Sequence, residues 1–148
     1  MDILFLAITG IILSIFFSSS EIALISANKL QIDVWEKQKL RLSKTANSII
    51  ENKEFYLFCI LVGNNIANML TTSFLTIYLV NTDILPEQSI FILISIIILL
   101  FAEIIPKSII RQFSNATLLI ISPLLYIFGL IIQPIYNLSS LFVNRSSD

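Results

Sequence analysis

The chain has 148 residues, of which 56% are hydrophobic and 13% charged, far from the roughly one quarter charged that soluble domains carry. A net charge of −1 leaves no basic surplus to neutralise phosphates, which argues against a nucleic-acid partner. A single cysteine, Cys59, and no histidine exclude a disulfide framework and imidazole or thiolate metal centres, so any metal bound here takes oxygen ligands, as magnesium and calcium do.

The composition is that of an all-α integral membrane protein, and three apolar runs account for most of it. The first, residues 3–25, is long enough to cross a bilayer, which needs about 20 residues. Reading residues 3–17 as a signal-peptide core would need a positively charged start, and the only charge there is Asp2. Gly10, Ser14, Ser18 and Glu21 are spaced by four, four and three, so a helix lines them up on one face. A small and polar stripe on an apolar helix marks the side that meets other helices. Packing explains the stripe as far as Ser18, but not Glu21.

Between residues 28 and 53, Lys29, Lys37, Lys39, Arg41 and Lys44 alternate with Leu30, Ile32, Val34, Trp35, Leu40 and Leu42. This pattern predicts an amphipathic juxtamembrane helix with Trp35 anchored at headgroup level. With Lys53 the segment holds six of the nine basic residues, and the positive-inside rule places it in the cytoplasm.

The second span, 55–80, carries Asn64, Asn65 and Asn68, then Thr72 and Thr76. Asparagines inside a membrane helix are costly unless each amide has a partner. They either bond across to other helices or serve as ligands for a hard cation. A loop over 81–88 with Asp83, Pro86 and Glu87 and no Lys or Arg belongs outside, and the third span, 89–105, returns inward. It ends in Phe101-Ala102-Glu103-Ile104-Ile105-Pro106-Lys107. Pro106 has no N–H, so in a helix the carbonyl of Ala102, four residues back, loses its partner and is left beside the Glu103 carboxylate. The bland alternative is a helix end at which Glu103 and Lys107 pair in water, and Lys107 is read as an interface anchor rather than a ligand. Pro123 and Pro134 divide the remaining apolar part, so residues 109–143 are expected to form a re-entrant or interfacial helical hairpin, with a full fourth span as the alternative.

Three patches thus bring oxygen: Ser18, Ser20 and Glu21; Asn64, Asn65 and Asn68; the Ala102 carbonyl and Glu103. With the N-terminus outside, all three fall in the cytoplasmic half of the membrane. Two carboxylates, several neutral oxygens and no nitrogen or sulfur ligand suit magnesium, or sodium with magnesium.

Residues 17–24 (Phe-Ser-Ser-Ser-Glu-Ile-Ala-Leu), 62–68 (Val-Gly-Asn-Asn-Ile-Ala-Asn) and 102–107 (Ala-Glu-Ile-Ile-Pro-Lys) resemble, in order and separation, the three signature patches of the CNNM (cyclin M)/CorC transmembrane domain. The resemblance covers essentially all of 1–148 as one domain. It implies a homodimer in the cell membrane, three spans per protomer, an external N-terminus and a cytoplasmic belt of juxtamembrane helices. It also implies magnesium export thought to be coupled to sodium entry, not an enzymatic activity. Carried over residue by residue, the ligands would be Ser18, Glu21, Asn64, Asn68, the carbonyl of Ala102, and Glu103. Two departures stand out: alanine at 102 where the family usually has glycine, and a chain that reaches Asp148 without the pair of nucleotide-binding CBS domains that usually follows, so that ATP regulation is not assigned. The rival reading is a non-transporting dimeric scaffold, or a magnesium sensor for a cytoplasmic regulatory domain, whose polar patches only hold helices together.

Overall fold

The computed structural model describes the backbone of residues 2–82 and 86–145, with the side chains of 3–82, 86 and 88–138. Every element among them is helical: α1 (Asp2–Ser26), α2 (Lys29–Lys37), α3 (Ser43–Glu51), α4 (Lys53–Thr82), α5 (Glu87–Ile97), a π-helical segment (Ile98–Ile104), α6 (Ile105–Ile110), a 3₁₀ turn (Arg111–Phe113) and α7 (Ser114–Arg145). Three helical stretches are long and apolar enough to cross a membrane: Ile3–Ser26, Lys53–Thr82 and Gln88–Leu138, the last running unbroken from α5 into α7. Asp83 and its neighbours in the expected outer loop lie outside the described residues.

The main pairing is α1 against α4, antiparallel, and small residues make it possible. Gly10 packs on Thr71, where an added Cβ would stand 2.8 Å from the Thr71 backbone nitrogen, and Gly63 receives the ring of Phe17. Gly63, Ala67 and Thr71, four apart and all buried, form the stripe on α4 that faces the Gly10–Ser14–Ser18 stripe on α1. In a membrane, where lipid tails are as apolar as leucine, such close backbone approach is what favours helix contact over lipid contact.

The amphipathic segment is two helices rather than one. α2 closes in a left-handed turn: Lys39, at φ 57°, occupies the position usually held by glycine, with the Leu40 N–H bonded to the Trp35 carbonyl and the Lys39 N–H to that of Glu36. Leu42, at φ 71°, starts α3 in the same unfavourable region, which costs side-chain-bearing residues about 1–2 kcal/mol each. Ile32, Ala46 and Ile49 from this pair are fully buried against Leu24, Tyr56, Ile60, Leu118 and Leu125, and Trp35 packs half-buried against the same core.

The expected C-terminal hairpin is absent, because α7 passes through both prolines as a single helix. Pro123 deprives the Leu119 carbonyl of its usual donor, and the Ser122 hydroxyl supplies one instead at 2.9 Å. α7 does not run alongside α1 and α4 over their length as a fourth span would. It starts at the end of α1, with the Ser114 hydroxyl on the Ser26 carbonyl and the Asn115 side chain accepting from the Asn28 N–H. It then sets Phe128 on Phe17 and Tyr136 on Phe55 and Phe58, crossing the bundle where α4 begins. Its outer face, Ile120, Leu124, Ile127, Ile131, Ile135 and Leu138, is exposed and apolar, so lipid rather than water covers it.

Gly10 and Gly129 differ in what stands opposite. Gly10→Ala presses on backbone and is expected to cost about 1–3 kcal/mol. Gly129→Ala meets the ring of Tyr56 at 2.8 Å, which is a side chain bordering a cavity and not a neighbouring backbone. The melting temperature of the detergent-solubilised chain should therefore fall clearly further for Gly10→Ala than for Gly129→Ala.

Candidate cation site

Helix α1 runs a polar strip from its middle to its end, and each step meets a partner on another helix. At the first step the Ser14 hydroxyl donates to Asn68 Oδ1 at 2.6 Å, with Asn64 Oδ1 also within 3.3 Å, and Asn68 Nδ2 donates to Glu103 Oε1 at 3.3 Å. One turn on, the Ser18 hydroxyl faces Asn64 Oδ1 at 3.5 Å, the longest contact of the set. At the third step Glu21 Oε2 takes Lys107 Nζ at 2.8 Å. Ser14 and Ser18 are fully buried, while Asn64, Asn68 and Glu103 are half-buried.

The orientation of the Asn68 amide follows from its neighbours. Oxygen toward a hydroxyl and nitrogen toward a carboxylate gives each end a complementary partner, whereas the reverse would set two acceptors against each other. Asn68 therefore joins all three spanning stretches through one side chain.

Helix α5 delivers Glu103 by opening its own backbone. From Ile98 to Ile104 the chain is wound as a π-helix, and the Ile105 N–H reaches back five residues to the Leu100 carbonyl. Pro106 can donate neither to Ala102, four back, nor to Phe101, five back. The wide turn thus places a proline-deprived stretch of backbone, with Ala102 buried at its centre, beside the only carboxylate on that stretch.

Of the residues singled out in the sequence, Ser18, Asn64, Asn68 and Glu103 lie on one hydrogen-bonded chain, and Glu21 continues their strip. Ser20 and Asn65 do not join them. The Ser20 hydroxyl is buried against its own helix, donating to the Phe16 carbonyl at 2.7 Å. Asn65 is exposed, because the residue next to Asn64 is turned about 100° around the helix. Lys107, read as an interface anchor, pairs with Glu21 at the end of the strip rather than with Glu103. Ser14 was missed as a site residue, although its place four residues before Ser18 in the polar stripe was the signal that would have found it. Ser14 and Asn68 stand at the midpoints of α1 and α4, so the strip begins midway along these two helices.

Among the described residues no group of three or more Asp, Glu, Cys or His is arranged to hold a metal ion. A cation here would rely on amide, hydroxyl and carbonyl oxygens with one or two carboxylates, a donor set for a hard ion that keeps part of its water.

Comparison with known proteins bears on the same helices. Residues 5–147 match the family described as the cyclin M transmembrane N-terminal domain. The chain is 28% identical over 102 residues to a UPF0053 protein of Haemophilus influenzae, covering 67% of this chain and 24% of that protein. It is 27% identical over 100 residues to the UPF0053 inner membrane protein YfjD of Escherichia coli, covering 66% of this chain and 23% of that one. The match thus spans about a quarter of the length of these relatives.

Removing the Asn68 side chain leaves the Ser14 hydroxyl and the Glu103 carboxylate short of partners at once. Asn68→Ala should cost about 1–3 kcal/mol, read as a lower melting temperature in detergent, while Asn65→Ala should stay within about 0.5 kcal/mol of the parent. Equal losses would mean that the strip does not hold the helices together.

Proposed function

The chain belongs to the cyclin M transmembrane domain family, and from that premise we propose that it carries magnesium across the membrane, in the direction of export and coupled to sodium entry. The cation would be held by Ser18, Asn64, Asn68 and Glu103, with the carbonyl of Ala102 and, at the end of the strip, Glu21. In this reading the chain works as a homodimer in the inner membrane, with its N-terminus outside and the α2–α3 pair in the cytoplasm, where six of its nine basic residues would then lie.

One observation carries the proposal. Among the described residues the single ion pair is Glu21–Lys107, so Glu103 stands in a membrane-spanning stretch with an amide hydrogen bond and no cation. A carboxylate at such depth is expensive unless something positive visits it. Asn68 already touches it, and a rotation of that amide would offer Oδ1 in place of the N–H, completing an oxygen pair for a hard cation. Magnesium sheds water reluctantly, so retained waters would fill the remaining positions of its octahedron. Release on the other side requires the helices to rearrange around the midplane, as in transporters with alternating access.

The rival scaffold reading draws on the same network, since hydrogen bonds between Ser14, Asn68 and Glu103 would hold helices together without any ion. Glu103→Gln separates the two, because glutamine still accepts from Asn68 Nδ2 but carries no charge. Isothermal titration of the solubilised protein with magnesium should give saturable binding that Glu103→Gln and Asn68→Ala weaken on the order of 10- to 100-fold. Ser20→Ala and Asn65→Ala should leave it unchanged. No saturable heat from the parent chain would favour the scaffold, and competition with sodium and calcium would identify the preferred ion.

A further inference from the structure

The turn between α2 and α3 has no role in the cation site, yet it collects three unusual features within eight residues. Lys37, Lys39, Arg41 and Lys44 are all exposed. None of them is ion-paired, the one salt bridge among the described residues being Glu21–Lys107. Asp33 and Glu36 line the same open cleft as Lys37 and Lys39, and the Glu36 carboxylate accepts from Asn47 Nδ2 at 2.6 Å. Between the cations, Leu40 and Leu42 are 46% and 37% exposed at the tip. Finally, two left-handed backbone positions that glycine would fill without strain are held by Lys39 and Leu42, one from each chemical set.

We propose that this turn is a binding site for anionic phospholipid, with Lys37, Lys39, Arg41 and Lys44 holding headgroup phosphates and Leu40 and Leu42 seated among the upper acyl chains. Four exposed cations, none ion-paired among the described residues, make a positive patch, and a cluster of this size beside a membrane helix attracts acidic lipid. The exposed leucines select among anions. A soluble phosphate or a nucleic acid offers nothing for them to bury in, whereas a lipid supplies both the charge and the apolar layer beneath it. The turn is also presented rigidly. The Leu40 N–H is tied to the Trp35 carbonyl, and the Leu40 carbonyl accepts from both the N–H and the hydroxyl of Ser43, so the tip keeps its shape without ligand.

Trp35, the single tryptophan, lies one turn from this tip and reports on it directly. The whole chain is reconstituted into phosphatidylcholine vesicles doped with either brominated phosphatidylglycerol or brominated phosphatidylcholine, and quenching of Trp35 fluorescence is measured. The anionic quencher should act at a mole fraction about tenfold lower than the zwitterionic one, with the difference reduced by high salt. Lys39→Gly should reduce that preference about fivefold without lowering the melting temperature, because glycine relaxes the backbone while removing the charge. The variant K37Q/K39Q/R41Q/K44Q should abolish it. Equal quenching by the two lipids, or a preference that survives in the quadruple variant, would overturn the assignment. Loss of the preference on adding low-millimolar inorganic phosphate at constant ionic strength would also overturn it, by showing that the turn binds a soluble anion. None of these outcomes depends on whether the chain transports magnesium.

Discussion

Asn68 is the one side chain on which the polar chemistry of all three spanning stretches converges. Its oxygen takes the Ser14 hydroxyl of α1 and its nitrogen reaches Glu103 on the π-helical segment. In water such bonds would contribute little, because each group could find a solvent partner. At membrane depth the alternative is an unsatisfied dipole in hydrocarbon, which sets the register of the helices as well as their association. The small residues serve the same end: Gly10 and Gly63 let α1 and α4 approach until hydroxyl and amide meet directly.

The two prolines at 106 and 123 show how one chemical deficit has two structural outcomes. Each removes an N–H and clashes with the preceding turn. At 123 a serine one residue earlier fills the vacated carbonyl of Leu119, and the helix continues. At 106 the residues immediately before are Glu103, Ile104 and Ile105, none of which can donate from its side chain when Glu103 is ionised, and the backbone widens into a π-helix. The difference was present in the sequence as Ser122, but its meaning rests on rotamer and backbone geometry. A reading by proline position alone therefore broke α7 where the helix continues. The first two spans and the start of the third were legible within a few residues, since bilayer thickness fixes the length of an apolar run, whereas the third helical stretch runs on to Leu138.

Much of the candidate site was legible for a similar reason. Intramembrane polar residues at helical spacing have few places to go, so Ser18, Asn64, Asn68 and Glu103 group together from the sequence pattern alone. Which neighbours belonged was less clear. Ser20 and Asn65 adjoin true members of the strip but point elsewhere, a matter of one hundred degrees of helical rotation. Lys107 reads as an anchor because its usual behaviour is to reach for the interface; its pairing with Glu21 at 2.8 Å was not foreseen.

That pairing changes what the two carboxylates can do. Glu21 comes with its own counter-ion on a flexible stem, so a cation arriving there must displace Lys107 and leave an ammonium to be rehydrated or repaired. Glu103 has no such occupant and is stabilised only by a dipole, which cannot neutralise a charge. The strip is therefore graded, neutralised at the α2–α3 end by a salt bridge about one third exposed and uncompensated at the middle of the spans. In the proposed transport a mobile cation would be drawn toward the charge that has no partner, and Lys107 would keep the second carboxylate from trapping the ion there. An ion held by two free carboxylates would bind tightly and leave slowly. Weak, sequential engagement is what passage requires.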